Sequence, residues 1–240
     1  IKRNLFAAGQ KRVWNALYQQ NPTPDDGVVF SKEMIQYFIH MPQRHQVQRF
    51  QAWDFAITET QQSDYTVCVT GDQDEHGSIY IIDVLRFRSD DGNAIVEHMI
   101  DQILAWGPDF LGVEDGQIWK SLKSQFETRC TERQVFQAYE VLQPLTDKMV
   151  RAGPLRGRMQ LKKVFIRKDQ LWTDAFVREL MVFPGGKHDD QIDAASWMAR
   201  LTLGHLPKKP PAPRPEKGWK DKLNGIIAGQ GVAGQSHMAA

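Results

Sequence analysis

The chain has 240 residues, with 30 Lys and Arg against 29 Asp and Glu, 41% hydrophobic residues and 10% aromatic ones. Such proportions suit a packed core in one or two domains and exclude collagen-like or wholly disordered chains. No run of about 18 apolar residues is present to span a membrane, and the opening IKRNLFAAGQ lacks the apolar centre of a signal peptide. Cys68 and Cys130 have neither disulfide-framework nor zinc-finger spacing, which fits a reducing compartment. The net charge of +1 conceals a polarised chain. Residues 54–115 hold 14 acids and only two bases, Arg86 and Arg88, whereas residues 116–178 hold 13 bases and six acids. Two such blocks describe either a cation site beside a polyanion-binding surface or two solvated faces.

The first 50 residues read as helix and loop: GQKRVWNALYQQ sets Val13, Ala16 and Leu17 at helical spacing, and NPTPDDG ends the run. From Arg49 the pattern turns to β. RFQAWDFAI, DYTVCVTGD and SIYIIDVLRFRS predict three consecutive strands, the third entered through a DEHG turn. GNAIVEHMIDQILAWG predicts a helix with Ile95, Met99, Ile103 and Leu104 on one face, and PDFLGVED a buried parallel strand ending in acids. QIWKSLKSQFETR predicts a helix and QVFQAYEVL another strand. A short helix over 145–153 leads into the basic stretch RAGPLRGRMQLKKVFIRK, in which LKKVFI is a candidate strand. DQLWTDAFVRELMVF and KHDDQIDAASWMARLTL predict two further helices, separated at Pro184-Gly185-Gly186, and the Pro- and Lys-rich segment from Pro207 reads as a flexible tail. Three antiparallel-connected strands followed by parallel ones, with helices on both faces, amount to an α/β mixed sheet.

Three acidic features stand where a carboxylate is awkward. Asp54 lies between Trp53 and Phe55 inside the first strand, so it either faces water at an edge or has a compensating partner. Glu114 and Asp115 end the fourth strand, where a parallel sheet presents its carboxyl edge to ligands; otherwise they belong to a solvated loop, with Asp115 capping the next helix. In HDDQIDA, Asp190 and Asp193 share a helical face and Asp189 sits beside them at the helix start. Capping satisfies part of that charge, and a cation would relieve the remaining repulsion. An acid on strand one, an acid ending a parallel neighbour and an acid pair opening a late helix can converge on one sheet edge. Hard oxygen donors favour Mg2+ or Mn2+, and two such ions about 4 Å apart clamp the attacking water and the leaving oxygen of a phosphodiester. His188 either assists a proton transfer, binds phosphate or is structural.

These features resemble the ribonuclease H-like nuclease superfamily. More narrowly, VWNALYQQNPTPDDGVVF, the WDFAITE strand, GVEDGQIW, DKMVRAGPLRGRMQLKKVFI and FPGGKHDDQIDAASW are similar to the large terminase subunit of tailed double-stranded DNA bacteriophages. The order of these five motifs, from Val13 to Leu203, is more specific than any one acidic run. In that family an N-terminal ATPase motor is joined to a C-terminal nuclease that cuts concatemeric viral DNA. The chain has no GxxxxGK(S/T) phosphate loop, so the resemblance implies the nuclease part, beginning just after the ATPase domain. It implies catalytic metal ligands at Asp54, Glu114 and either Asp190 or Asp193, with Asp115 and Asp189 as auxiliary ligands of two Mg2+ or Mn2+ ions. Lys148, Arg151, Arg156, Arg158, Lys162 and Lys163 become the expected DNA-contacting face beside that metal site, touching phosphates rather than reading bases.

The implied organisation is a helical and loop lead-in over 1–49, a ribonuclease H-like nuclease domain over 50–206 and a tail over 207–240. The implied partners are double-stranded DNA, the ATPase domain of the same polypeptide, the portal protein and the small terminase subunit, in the host cytoplasm and without a membrane. Two alternatives stay open. One is another ribonuclease H-like nuclease, such as a resolvase or transposase, against which YQQNP and FPGGKHDDQIDA speak. The other is a non-catalytic module that docks DNA or the portal.

Overall fold

Alternating and apolar runs between residues 48 and 87 build the antiparallel centre of the sheet. The computed structural model describes residues 29–56, 64–143 and 147–205; the helix expected around Val13 and the tail from Pro207 lie outside them. Strands β2 (Gln48–Asp54), β3 (Thr66–Gln73) and β4 (Ile79–Phe87) form the expected meander, β3 pairing antiparallel with both neighbours. All eight residues of β3 are buried, as its place at the centre of a sheet covered on both faces requires. The DEHG turn is present, with Gly77 at φ +73°, a left-handed conformation that a side chain would strain.

Helix α1 (Gly92–Trp106) starts where the Asp91 carboxylate accepts the Asn93 N–H and ends at Gly107, φ +55°. Its buried face carries Ile95, Val96, Met99, Ile100 and Ile103. Strand β5 (Phe110–Glu114) pairs parallel with β2, helix α2 (Gln117–Glu132) follows, and β6 (Tyr139–Leu142) pairs parallel with β5. Then come α3 (Lys148–Gln160), β7 (Val164–Arg167), α4 (Thr173–Val182) and α5 (Asp190–Leu201). The seven-stranded order is β1-β7-β4-β3-β2-β5-β6, in which β1 (Gln36–Phe38) is a parallel edge strand on β7.

Two cores follow from the alternation. Trp53, Leu111 and Val113 point to the face covered by α1 and α2, together with Trp119, Leu122 and Phe126. Phe50, Ala52, Val67 and Val69 point to the other face, against Leu155 and Met159 of α3, Phe176 and Leu180 of α4, and α5. Every residue of α5 except Arg200 is buried, because α5 lies on the sheet beneath its neighbours. Two glycines permit that approach: a Cβ on Gly71 would stand 2.6 Å from Met198 Sδ, and one on Gly112 would stand 3.0 Å from Leu201 Cδ2. Close seating of α5 carries its acidic first turn to the ends of β2 and β5.

Two elements differ from the sequence expectation. Residues 36–38, read as helix or loop, form β1, a three-residue strand owed to the partner strand β7 rather than to a pattern of its own. The helix expected over 145–153 runs on through Pro154 to Gln160. Pro154 removes only the hydrogen bond to the Val150 carbonyl, and Val150 is exposed to water, while Ala152, Leu155 and Met159 bury the inner face.

Candidate metal centre

Strands β2 and β5 run parallel with Trp53 opposite Val113, and one step further on Asp54 and Glu114 end the two strands side by side. The period of two sets both carboxylates on the α5 face of the sheet, continuing from Ala52 and Gly112. Thr66 closes this edge: its hydroxyl donates to the Ala56 carbonyl at 2.8 Å and accepts the Ala56 N–H at 3.1 Å. The first turn of α5 brings Asp190 and Asp193 to the same edge. The result is a cavity of about 220 Å³ lined by Asp54, Asp64, Glu114, Asp189, Asp190, Asp193, Lys148 and Arg151, among others. Six carboxylates thus face two bases.

The carboxylates fall into two groups. Asp54 and Glu114 are within hydrogen-bonding reach of each other, and the Asp54 carboxyl is held well above the ordinary carboxylate range. Burial is the main cause, followed by the Glu114 and Asp193 charges, with Arg151 opposing. Asp193 accepts from Arg151 Nη2 at 2.8 Å and Nε at 3.2 Å, and lies 3.6 Å from Lys148 Nζ. Burial still raises its proton affinity, against the pull of Arg151.

Asp190 belongs to the second group, with Asp64 and His188, whose donor atoms all lie within 4.8 Å of one another. Its Oδ2 accepts the Tyr65 N–H at 3.2 Å and stands 3.9 Å from His188 Nδ1. Burial first, and then the charges of Asp64, Glu179 and Asp189, push the Asp190 carboxyl up to about 6. Buried carboxylates that prefer protons to mutual repulsion are suited to a divalent cation, and oxygen donors with a single imidazole form a coherent donor set.

Asp189 is the N-cap residue of α5, yet its side chain makes no capping bond. It accepts instead from Lys148 Nζ at 2.5 Å. Asp115, expected as an auxiliary ligand, does not line the cavity. Its carboxylate is taken by Lys120 at 3.0 Å and Gln143 at 3.2 Å, and the hydrogen bond from Lys120 is the largest of the effects that hold its carboxyl below the ordinary range.

The expected DNA-contacting bases separate in the same way. Lys148 and Arg151, in the first turn of α3, line the cavity. From there α3 climbs about 1.5 Å per residue away from it, on the order of 18 Å by Gln160. Arg156 is half-buried, and Arg158 donates to the Ala199 carbonyl at 2.9 Å. Lys162 and Lys163 precede β7, and Lys163 Nζ donates to the His76 carbonyl at 2.8 Å. Strand β7 is parallel to β4, and β4 and β2 are both antiparallel to β3, so both lysines stand at the sheet edge opposite Asp54. The face beside the metal site thus reduces to Lys148 and Arg151.

Sequence reasoning missed Asp64, Tyr65 and Glu179. Asp64 carried one readable signal: it immediately precedes β3, and an antiparallel partner of β2 must start at the edge where β2 ends. Glu179 is buried in α4 and fixes the start of α5, accepting the Gln191 N–H at 2.7 Å and Nε2–H at 2.6 Å.

Residues 51–200 match the family of terminase RNaseH-like domains. Comparison with curated proteins gave no match. Among solved structures, the chain is similar to the large terminase nuclease from thermophilic phage G20c with bound magnesium, at 14% identity and a TM-score of 0.54, covering 74% of this chain and 98% of that one. The large terminase nuclease domain of Thermus phage P74-26 is 15% identical with a TM-score of 0.52, covering 76% of this chain and all of that one. The large terminase of another thermophilic bacteriophage, in complex with ADP, is 10% identical with a TM-score of 0.53; the match covers 75% of this chain and 46% of that one. These structural likenesses establish the fold, and the family match over most of the sheet and nearly all of α5 establishes kinship: the chain belongs to the terminase RNaseH-like domain family.

Proposed function

We propose that the chain is the nuclease domain of a phage genome-packaging terminase, a divalent-metal-dependent endonuclease that hydrolyses phosphodiester bonds of concatemeric double-stranded DNA with little sequence preference. The observation that carries this reading is the convergence of Asp54, Glu114, Asp190 and Asp193 from two strand ends and one helix start on a single cavity. Asp54, Glu114 and Asp193 would hold one ion, and Asp190 with Asp64 and His188 offers donors for a second. Bound divalent ions would supply Lewis-acid polarisation of the phosphate and activation of water. Arg151 holds Asp193 in place, and Lys148 and Arg151 present positive charge to the phosphate under attack. His188, beside Asp190, is an auxiliary group for proton transfer or phosphate binding.

Mg2+ or Mn2+ is the proposed cofactor, from the hard oxygen donors; the G20c nuclease has been solved with magnesium, zinc and cobalt. The proposed setting is the host cytoplasm, with an ATPase domain in the same polypeptide, double-stranded DNA as substrate, and the portal protein and small subunit as partners. Residues 1–49 would be the lead-in from that ATPase domain, 50–206 the nuclease and 207–240 a tail.

The test is incubation of supercoiled plasmid with Mg2+ or Mn2+, with EDTA as control. Nicked and linear products that vanish in EDTA and in Asp54→Asn are expected. Cleavage that survives Asp54→Asn would overturn the assigned site, and no cleavage with either metal would favour the docking module.

A further inference from the structure

We propose that the nucleic-acid strand reaches the carboxylate cavity along a basic groove between the end of β4 and α4, lined by Arg86, Arg178 and Lys187, with Arg88 held nearby on the Tyr65 ring. The proposal rests on the nuclease reading and names the path of its substrate, a phosphodiester backbone.

The first observation is one of sequence and position. Arg86 and Arg88 are the only bases between residues 54 and 115, within the strongly acidic block. Arg86, near the end of β4, is on the face of the sheet that Val84 turns towards α4 and α5, and Arg88 follows just past the strand. Strand β4 is oriented like β2, so its last residues stand at the edge where Asp54 stands.

The second is their attachment to the cavity. The guanidinium carbons of Arg86 and Arg88 lie 4.3 and 3.7 Å from the centre of the Tyr65 ring. The His188 ring meets the same ring edge-on at 5.4 Å. Tyr65 in turn donates its backbone N–H to Asp190. One residue therefore fixes the two bases and a metal-site carboxylate relative to each other, because cation–π contact with a single ring orients both guanidinium groups.

The third is the surface beyond. A shallow groove is lined by Arg86, Ala175, Arg178, Glu179, Val182, Lys187 and His188. Arg178 and Lys187 are exposed, and among the described residues neither pairs with an acid. Glu179 is the one acid in the lining. It is buried, and its oxygens are occupied by Gln191 and by Arg86 at 3.4 Å. The groove therefore presents uncompensated positive charge, and His188 lines it while also facing Asp190.

Guanidinium groups and a lysine ammonium lining one groove suit the phosphates of a nucleic-acid strand, which they contact without reading bases. Lys148 and Arg151 line the cavity itself, so a strand entering by the groove meets bases both on the way in and at the carboxylates. That arrangement offsets the repulsion an acidic cavity exerts on DNA.

The test compares the full chain with the double variant Arg178→Ala/Lys187→Ala. Binding of a labelled 30-base-pair duplex is followed across salt concentrations in EDTA, and cleavage kinetics are followed with Mn2+. Each phosphate contact contributes roughly 0.9 to the slope of log affinity against log salt. The expected loss is a slope shallower by about 1–2, affinity reduced about 5–30-fold near 0.1 M salt, and a raised KM with kcat within about twofold. The same charge removed at Lys162 and Lys163, at the opposite sheet edge, is expected to move the slope less. Unchanged slope and KM in a folded double variant, checked by thermal melting, would overturn the groove while leaving the nuclease reading intact. A larger effect from Lys162 and Lys163 would overturn it in favour of the opposite edge. A parent chain that binds DNA through the groove but never cuts it would overturn the nuclease reading and leave the groove standing.

Discussion

Arg151 of α3 and Asp193 of α5 form a buried guanidinium–carboxylate pair, 2.8 Å apart at the closest atoms, with side chains only 11% and 10% exposed. A buried pair contributes little net stability when intact, but removing one partner strands the other charge. Arg151→Ala should therefore destabilise the metal-free protein by about 2–4 kcal/mol in urea titration. A saturating divalent cation should recover part of that loss, because it replaces the missing positive charge. Equal stability of parent and variant in EDTA would mean that Lys148, 3.6 Å from Asp193, suffices as its counter-charge without Arg151.

The raised proton affinity of Asp190 gives a pH signature. Its carboxyl sits at about 6 in the folded protein against an ordinary 3.8, mainly because it is buried and then because Asp64, Glu179 and Asp189 are near. Between those values the folded state holds a proton that the unfolded chain has released. Stability therefore falls as pH rises from about 4 to about 6 and loses no more from this group above that. Asp190→Asn should be more stable than the parent at pH 7 in EDTA, on the order of 1–2 kcal/mol, and the difference should close towards pH 4. Denaturation at three pH values tests this; a difference independent of pH would contradict it.

Lys148 is a resident cation of the cavity, reaching Asp189 at 2.5 Å and Asp193 at 3.6 Å. Burial works against its charge, but the hydrogen bond it donates to Asp189 and the charges of Asp193 and Asp189 leave its proton bound more firmly than usual. Lys148→Met removes a like charge from the neighbourhood of any divalent ion. Calorimetric titration should show Mn2+ binding about 3–10-fold tighter, while DNA binding weakens. Unchanged Mn2+ affinity would place the ion away from Asp189 and Asp193.

Gly71 tests the seating of α5 from a distance. Alanine there would bring its Cβ within 2.6 Å of Met198 Sδ and 3.2 Å of the Tyr80 carbonyl. Met198 lies eight residues along α5 from Asp190, about 12 Å by helical rise. Gly71→Ala should cost about 1–3 kcal/mol of stability and reduce Mn2+ affinity, although the residue touches no ligand. A destabilised variant with parental metal affinity would show that contacts at the start of α5, such as those of Glu179, Tyr65 and Arg151, hold the acidic turn independently of the Gly71 seat.

Much of this was legible in the sequence, for identifiable reasons. The meander could be read because β2, β3 and β4 each present a run of β-forming residues between clear turn residues. Glu114 could be read because a carboxylate ending an apolar strand stands out, and Asp54 because it interrupts an apolar run; β2 stops at Asp54 instead of running on through Phe55 as the sequence suggested. The choice between Asp190 and Asp193 was not legible, since both share one helical face. Only the lateral position of α5 on the sheet separates them, with Asp193 towards Asp54 and Arg151 and Asp190 towards Tyr65 and His188. Asp64 was hidden because a single acid before a strand has no periodic signature. Lys162 and Lys163 misled because neighbours in sequence beyond a 13-residue helix are not neighbours in space.

The most direct test of the two-group carboxylate site is anomalous diffraction at the manganese edge from crystals soaked in Mn2+. Density bounded by Asp54, Glu114 and Asp193, with a second peak beside Asp64, His188 and Asp190, is the expected result. Manganese bound only at acids outside the cavity such as Asp115, with the cavity still bridged by Lys148 and Arg151, would contradict it.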